Sequence, residues 1–245
     1  MTPPRYSLVV PCYNEERNLR PLLEGFKAGL NGADLEVILV DNGSSDGTAA
    51  ELARLLPLYP FASGVRVAVN RGYGFGILSG LAAASGEYVG WLHGDLQFDP
   101  GAAFAAAGLA EKAGGEKVFV KGLRRGRPVL DRVFTAAMSL FETLLMGTRL
   151  EDINGQPTLF HRSLLETWAE PPGDYSLDLY AYVSAARADF KIVRFEVENS
   201  ERARGASSWN RGPWSRLSLA LRTVAASVRL RAAARRPGKR ENPSP

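Results

Sequence analysis

Cysteine is nearly missing from this sequence: Cys12 stands alone in 245 residues. A single thiol closes no internal disulfide, so the chain reads as a protein of a reducing compartment. Also missing is any uninterrupted apolar run of the roughly 18 to 20 residues that a bilayer span requires. The opening MTPPRYSLVVPCYNEE has no basic segment leading into an apolar stretch, so no export signal is read and the expected location is the cytoplasm. Acidic residues are absent from one region: residues 202 to 240 hold eleven Lys or Arg and no Asp or Glu, which leaves 19 basic against 26 acidic residues elsewhere. The net charge of +4 therefore belongs to the tail. Such a tail suits a membrane surface, a phosphorylated substrate or nucleic acid. Nucleic acid is not the expected partner, because the tail has few interleaved aromatics beyond Trp209 and Trp214 and the acidic body repels it.

What is present is a rhythm of short β-rich runs, each closed by polar turn chemistry and followed by a helix-compatible stretch. Tyr6 to Val10 leads into PCYNEE, Leu35 to Val40 into DNGSSDGT, Val65 to Val69 into NRGYGFG, and Glu87 to Leu92 into HGDLQFDP. The pattern predicts an α/β fold with a mostly parallel sheet. Ligands of such sheets gather at the carboxyl ends of the strands, so the polar segments should converge on one crevice. Further on, the sequence predicts a helix over 101–113, a strand Lys117 to Lys121, a basic loop GLRRGRP, and a long helix from about Asp131 to Met146. A loop and short strand over 152–163, a helix over 176–188 with Asp178 on an otherwise apolar surface, and a last strand KIVRFEVEN follow. With 45% hydrophobic residues and no repeat or linker, residues 1–212 are expected to form one domain. Residues 213–236 read as a basic amphipathic helix: Trp214, Leu217, Leu221, Val224 and Val228 share a face that Arg216, Arg222 and Arg229 avoid. That stripe either lies on an anionic bilayer or packs on the domain. Residues 237–245 are expected to be a disordered tail.

Asp41 ends a buried strand, where a carboxylate suits the N–H donors of a nucleotide base or ribose hydroxyls. Asp46 and Thr48 read as helix-capping residues. The spacing of Gly72, Gly74, Gly76 and Gly80 fits neither a Walker nor a dinucleotide fingerprint. Glycines opening a helix still admit a close ligand, and Arg71 adds charge for a diphosphate. In HGDLQFDP, residues His93, Asp95 and Gln97 alternate and so share one side of an extended loop. Oxygen ligands there suit Mg²⁺ or Mn²⁺, and an imidazole tilts the choice toward Mn²⁺.

Taken together, VVPCYNEERNL (9–19), VILVDNGSSDGT (37–48), the stretch from Asn70 to Pro100 and ERARGASSW (201–209) resemble the family 2 glycosyltransferases, and within them the dolichyl- and polyprenyl-phosphate hexosyltransferases. The resemblance implies a GT-A fold, a nucleotide diphosphate sugar as donor, a divalent metal, and inverting transfer of a hexose to a polyprenyl phosphate. It implies an enzyme peripheral to the cytoplasmic face of a membrane, and it allows a membrane-spanning partner protein. Carried over by position, it assigns Pro11, Tyr13, Glu15 and Asp41 to the nucleotide and Asp95 and Gln97 to the metal. His93 stands where the motif's first Asp belongs, and Asn42 where a second Asp is common. Arg124 or Arg125 is assigned to the acceptor phosphate, and Arg202, Gly205 and Ser207 match an element that closes over donor diphosphate and acceptor phosphate. If the acceptor were a sugar hydroxyl, Asp152 is the carboxylate nominated as base. A catalytically idle nucleotide-sugar-binding subunit is the rival reading that His93 raises.

Overall fold

The computed structural model describes residues 3–200 and 223–232. Its elements alternate as the hydrophobic pattern predicts: β1 (Tyr6–Cys12), α1 (Leu19–Gly29), β2 (Leu35–Asn42), α2 (Thr48–Leu55), β3 (Ala62–Val67), α3 (Tyr73–Ala83), β4 (Tyr88–Trp91) and α4 (Gly101–Ala113). Then come β5 (Val118–Arg125), α5 (Val129–Met146), β6 (Thr158–His161), α6 (Leu177–Arg187), β7 (Lys191–Glu198) and, at residues 223–232, α7. The strands form one sheet in the order β3-β2-β1-β4-β6-β5-β7. Strand β6 runs antiparallel to β4 and β5, while the other pairings are parallel.

Residue alternation explains the two faces of this sheet. Leu8, Val10, Val37, Leu39, Val118 and Val120 point to one side and pack with Leu22, Phe26 and the Ala-rich face of α4. Their neighbours Val9, Ile38, Val40, Val89 and Phe119 point to the other side, against Ile77 and Leu81 of α3 and Leu177 and Tyr182 of α6. A strand buried on both faces reads as a continuous apolar run, which is why VILV and VFV carry no polar alternation. Each such fully buried side chain contributes about 1.5–3 kcal/mol.

Several boundaries differ from the sequence expectation. Strand β3 begins and ends earlier than Val65 to Val69, and β5 continues past Lys121 through Arg125 because it keeps pairing with β7 as far as Arg125↔Glu198. The first part of the predicted basic loop is therefore strand, and Arg124 and Arg125 face opposite ways.

Helix α5 is turned inside out. Its buried positions include Ser139 and Glu142, while Val129, Leu130, Val133, Phe134, Leu140 and Leu144 are exposed, Leu130 at 83% and Leu144 at 75%. The buried polar side is covered by α7: Ser227 donates its hydroxyl to Glu142 Oε1 at 2.5 Å, and Arg231 Nη1 donates to the Met146 carbonyl at 3.4 Å. Burial pushes the Glu142 carboxyl up, against the pull of the Ser227 hydrogen bond. Of the predicted amphipathic stripe, Val228 is half exposed and Val224 lies in α7 beside buried Ala226; Trp214, Leu217, Leu221, Arg216 and Arg222 lie outside the described residues. For residues 223–232, packing on the domain is the observed arrangement. No helix among the described residues is long and apolar enough to cross a membrane.

Candidate active site

The parallel strands β1, β2, β4 and β5 deliver their following loops to one edge of the sheet, as the strand rhythm requires. Because β6 is antiparallel, it is the loop before it, residues 152–157, that reaches the same edge.

The loops after β1 and β2 are stitched together. Asn14, at φ 58°, accepts the Ser45 N–H on Oδ1 at 2.9 Å, and its own N–H donates to Ser44 Oγ at 3.1 Å. Glu15 N–H donates to Thr48 Oγ1 at 3.0 Å, and Asn18 Nδ2 donates to Glu15 Oε2 at 2.5 Å. Pro11 lies in β1 opposite Val40, and Tyr13 is exposed beside them. Asp41 is buried at the end of β2; its Oδ1 accepts the Ser44 N–H at 3.0 Å and its Oδ2 lies 3.6 Å from Arg66 Nε. Gly43, at φ 72°, brings this loop so close to the next that a Cβ there would run into the Asn70 amide. Asn42 has a local role that an aspartate could not fill, since its Nδ2 donates to the Gly72 carbonyl at 3.0 Å. Arg71 is exposed and its guanidinium stacks 4.1 Å over the Phe75 ring.

In the loop after β4, Asp95 is 3% exposed and its Oδ1 accepts the Gln97 N–H at 3.2 Å, across Leu96 at φ 58°. His93 is anchored separately: its Nε2 lies 2.8 Å from the Tyr73 hydroxyl, and its ring meets Tyr73 and Phe98 edge-on. Burial lowers the His93 pKa more than the Asp95 and Asp178 charges raise it, so the ring is a neutral imidazole with one lone pair to give. Among the described residues no group of three or more His, Cys, Asp or Glu side chains could hold a metal unaided. One buried carboxylate with one neighbouring donor still fits Mg²⁺ or Mn²⁺ when phosphate oxygens and waters complete the shell.

Arg124 and Arg125 separate cleanly. Arg124 turns inward onto Asp152, which takes its N–H at 2.7 Å on Oδ2 and its Nε and Nη2 at 2.9 and 2.5 Å on Oδ1. Arg125 turns outward and pairs with Glu196 on the surface. Burial alone would raise the Asp152 carboxyl, but the Arg124 hydrogen bonds and charge outweigh it and hold the pKa below the usual carboxylate range. A carboxylate so committed is a poor proton acceptor, which counts against the base nominated for a hydroxyl acceptor. Arg202, Gly205 and Ser207 lie outside the described residues; the chain leads toward them from Ser200, whose N–H donates to the Gln97 carbonyl at 2.9 Å.

Residues 7–162 match the family model described as Glycosyl transferase family 2. The chain belongs to that family. Among its relatives, the undecaprenyl-phosphate 4-deoxy-4-formamido-L-arabinose transferase of Enterobacter sp. (strain 638) is 37% identical over 100 residues, 39% of this chain and 30% of that protein. The match thus spans less than a third of that relative's length. The dodecaprenyl-phosphate galacturonate synthase of Rhizobium johnstonii is 26% identical over 239 residues, 95% of this chain and 69% of that protein. Among solved structures, glucosyl-3-phosphoglycerate synthase from Mycobacterium tuberculosis, in complex with Mn²⁺, UDP and glucosyl-3-phosphoglycerate, superposes with a TM-score of 0.70 over 96% of this chain and 82% of that one, at 22% identity. At that identity the likeness is one of fold, and it is the GT-A architecture expected of a family 2 chain.

A buried polar network behind this family 2 site escaped the sequence reading. Asp178 of α6 accepts on Oδ1 from Lys121 Nζ at 2.9 Å, Gln156 Nε2 at 3.0 Å and Trp91 Nε1 at 3.3 Å. Lys121 also donates to Thr158 Oγ1 at 2.7 Å, and Gln156 Nε2 lies 3.4 Å from the Tyr73 hydroxyl. The available signals were an Asp on an apolar helix and a Lys closing the apolar run VFVK. Neither names its partner.

Proposed function

We propose that the protein is an inverting glycosyltransferase that moves a hexose from a nucleotide diphosphate sugar to a polyprenyl phosphate while lying on the cytoplasmic face of a membrane. The observation that supports the acceptor assignment is the outward apolar face of α5, a lipid-compatible surface on the helix that begins four residues after Arg125. Monomeric proteins rarely expose so contiguous an apolar strip. The names of the undecaprenyl- and dodecaprenyl-phosphate relatives support the same acceptor class.

In this reading Asp41 and the β1 loop with Pro11, Tyr13 and Glu15 hold the nucleotide, and Arg71 adds charge near the diphosphate. Asp95, with Gln97 or His93 as second donor, would hold Mn²⁺ or Mg²⁺, which supplies charge neutralisation for the departing diphosphate. The anomeric C–O bond to the diphosphate breaks as an acceptor phosphate oxygen forms the new one. An ionised phosphate is already a nucleophile, so no side chain needs to take a proton. Asp152 then serves to aim Arg124 at the acceptor phosphate, and the family resemblance assigns Arg202 and Ser207 to the donor and acceptor phosphates.

The direct test is transfer of radiolabel from a panel of GDP- and UDP-sugars to short-chain polyprenyl phosphate, with Mn²⁺, Mg²⁺ or chelator. A metal-dependent lipid product is expected; donor binding without transfer to any acceptor would favour an idle subunit. In the same assay Arg124→Gln is expected to cut turnover by about 10²–10³-fold, the usual cost of one preorganised charge-stabilising donor, while Arg125→Gln changes it less than about threefold. Equal losses would remove the distinction drawn from β5. Membrane docking is read separately by sedimentation with anionic vesicles. Leu130→Glu with Leu144→Glu is expected to lower vesicle binding at least about tenfold, since each replaces a side chain worth roughly 1.5–3 kcal/mol when fully buried. Unchanged binding would show that α5 is not the lipid-facing surface.

A further inference from the structure

Asp152, which clamps Arg124, has a backbone conformation that it would rarely adopt unaided. At φ 40° it lies in the left-handed region, where a residue with a Cβ stays only if its surroundings fix it. Three groups do so. The Asp152 N–H donates to Ser139 Oγ of α5 at 3.1 Å, and its carbonyl accepts the Gly155 N–H at 3.0 Å and Arg194 Nη2 of β7 at 3.3 Å. The same Nη2 donates to the Gly122 carbonyl at 2.8 Å, and Nη1 donates to the Glu151 carbonyl at 2.5 Å. Tyr182 of α6 backs the guanidinium, with its ring centroid 5.4 Å away. Gly122 stands two positions before Arg124 on β5, so a single guanidinium joins the strand that carries the arginine to the loop that carries its clamp. The two backbones touch there: a Cβ on Gly155 would stand 2.1 Å from the Gly122 carbonyl oxygen.

We infer that Arg194 is a positioning residue for the acceptor arginine: by bridging the Gly122, Glu151 and Asp152 carbonyls it fixes the loop against β5, and with it the carboxylate that takes Arg124 Nε and Nη2. Those two bonds leave Arg124 Nη1 without a protein partner among the described residues, as the donor available to a phosphate. The inference rests on the proposed acceptor reading, but its first test does not involve activity. Arg194→Met keeps an aliphatic stem over Tyr182 and removes the guanidinium. Hydrogen exchange at the Asp152, Gly155 and Gly122 amides is expected to quicken at least about tenfold in this variant, with the amides of β1 unchanged. Equal protection in variant and wild type would show that Arg194 does not hold the loop. Protection lost to the same degree in β1 would mean general loosening and would count against the assignment just as firmly. Arg194→Lys gives the same comparison if the methionine variant does not fold, because one ammonium lacks the planar fork that spans the carbonyls.

Steady-state transfer to short-chain polyprenyl phosphate supplies the second readout. Arg194→Met is expected to lower kcat/KM for the acceptor about 10–100-fold, the scale of a misplacement near 1 Å, and to change KM for the nucleotide sugar less than about twofold. In the Arg124→Gln background the same change should cost less than about twofold, since a residue that acts through Arg124 then has nothing left to position. Losses that multiply, or a donor KM raised as far as the acceptor term falls, would overturn the assignment. If wild type yields no lipid product while Arg194→Met still loosens Asp152, the acceptor reading fails and the positioning role falls with it, whereas the bridge between β5 and the loop stands.

Discussion

Asp95→Ala is expected to reduce glycosyl transfer by well over 100-fold while leaving the thermal unfolding midpoint within a few degrees of wild type. The loss exceeds the roughly 10–100-fold of an outer-shell change because the carboxylate is the most buried oxygen donor of its loop and the strongest ligand the loop can give a cation. Gln97 and His93 can supply only neutral donors, so neither can replace its charge. Among the described residues the fold should tolerate the change, since the Gln97 N–H to Oδ1 hydrogen bond is 3.2 Å and local, and Phe98 and Leu92 of the same loop are themselves buried. The measurement is turnover with polyprenyl phosphate at saturating donor, with Mn²⁺ binding in parallel. A variant that keeps a tenth of wild-type turnover would remove Asp95 from the metal and with it the reading of this loop.

The second large effect is on stability. Lys121 and Asp178 are 0% and 3% exposed and their charged atoms are 2.9 Å apart. Burial lowers the lysine's pKa, and the Asp178 charge opposes that shift. Asp178→Ala leaves the ammonium buried with Thr158 as its remaining hydrogen-bond partner, and it takes the common acceptor from Gln156 and Trp91. Removing one member of a buried ion pair costs about 3–5 kcal/mol. For a chain of this size that corresponds to a fall in Tm of about 10 °C, measured by calorimetry. The paired replacement Lys121→Met with Asp178→Leu should recover most of it, because the penalty comes from an uncompensated charge and unpaired donors. A drop below about 1 kcal/mol for Asp178→Ala would mean that water reaches the site and that the pair is not a dry one.

The pair also shows where sequence reading stops. Lys121 and Asp178 are 57 positions apart and nothing local links them; they meet because β5 and β6 align Lys121 with Thr158 and α6 lies across that face of the sheet. Likewise Asp152 looked like a free carboxylate in a loop. It became the clamp of Arg124 only because β6 runs against its neighbours and presents the preceding loop at the ligand edge. The exposed face of α5 was hidden for the opposite reason. Its apolar periodicity is that of an ordinary core helix, and periodicity tells which residues share a face but not whether protein or solvent covers it.

Much was nevertheless determined by the sequence alone. The β/α alternation and the turn chemistry after Cys12, Asn42 and Trp91 are local properties, and the preference for right-handed parallel crossovers turns them into one sheet with its polar loops on one edge. Asp41 and Asp95 were legible because each closes an apolar strand or opens the loop after it, where a carboxylate has no packing role. The tertiary structure alone decided which arginine turns inward onto Asp152, which carboxylate is already engaged, why Asn42 holds a carbonyl, and what His93 touches. Those are pairings between groups distant in sequence, and their partners are chosen by sheet order and helix packing, which no local pattern encodes.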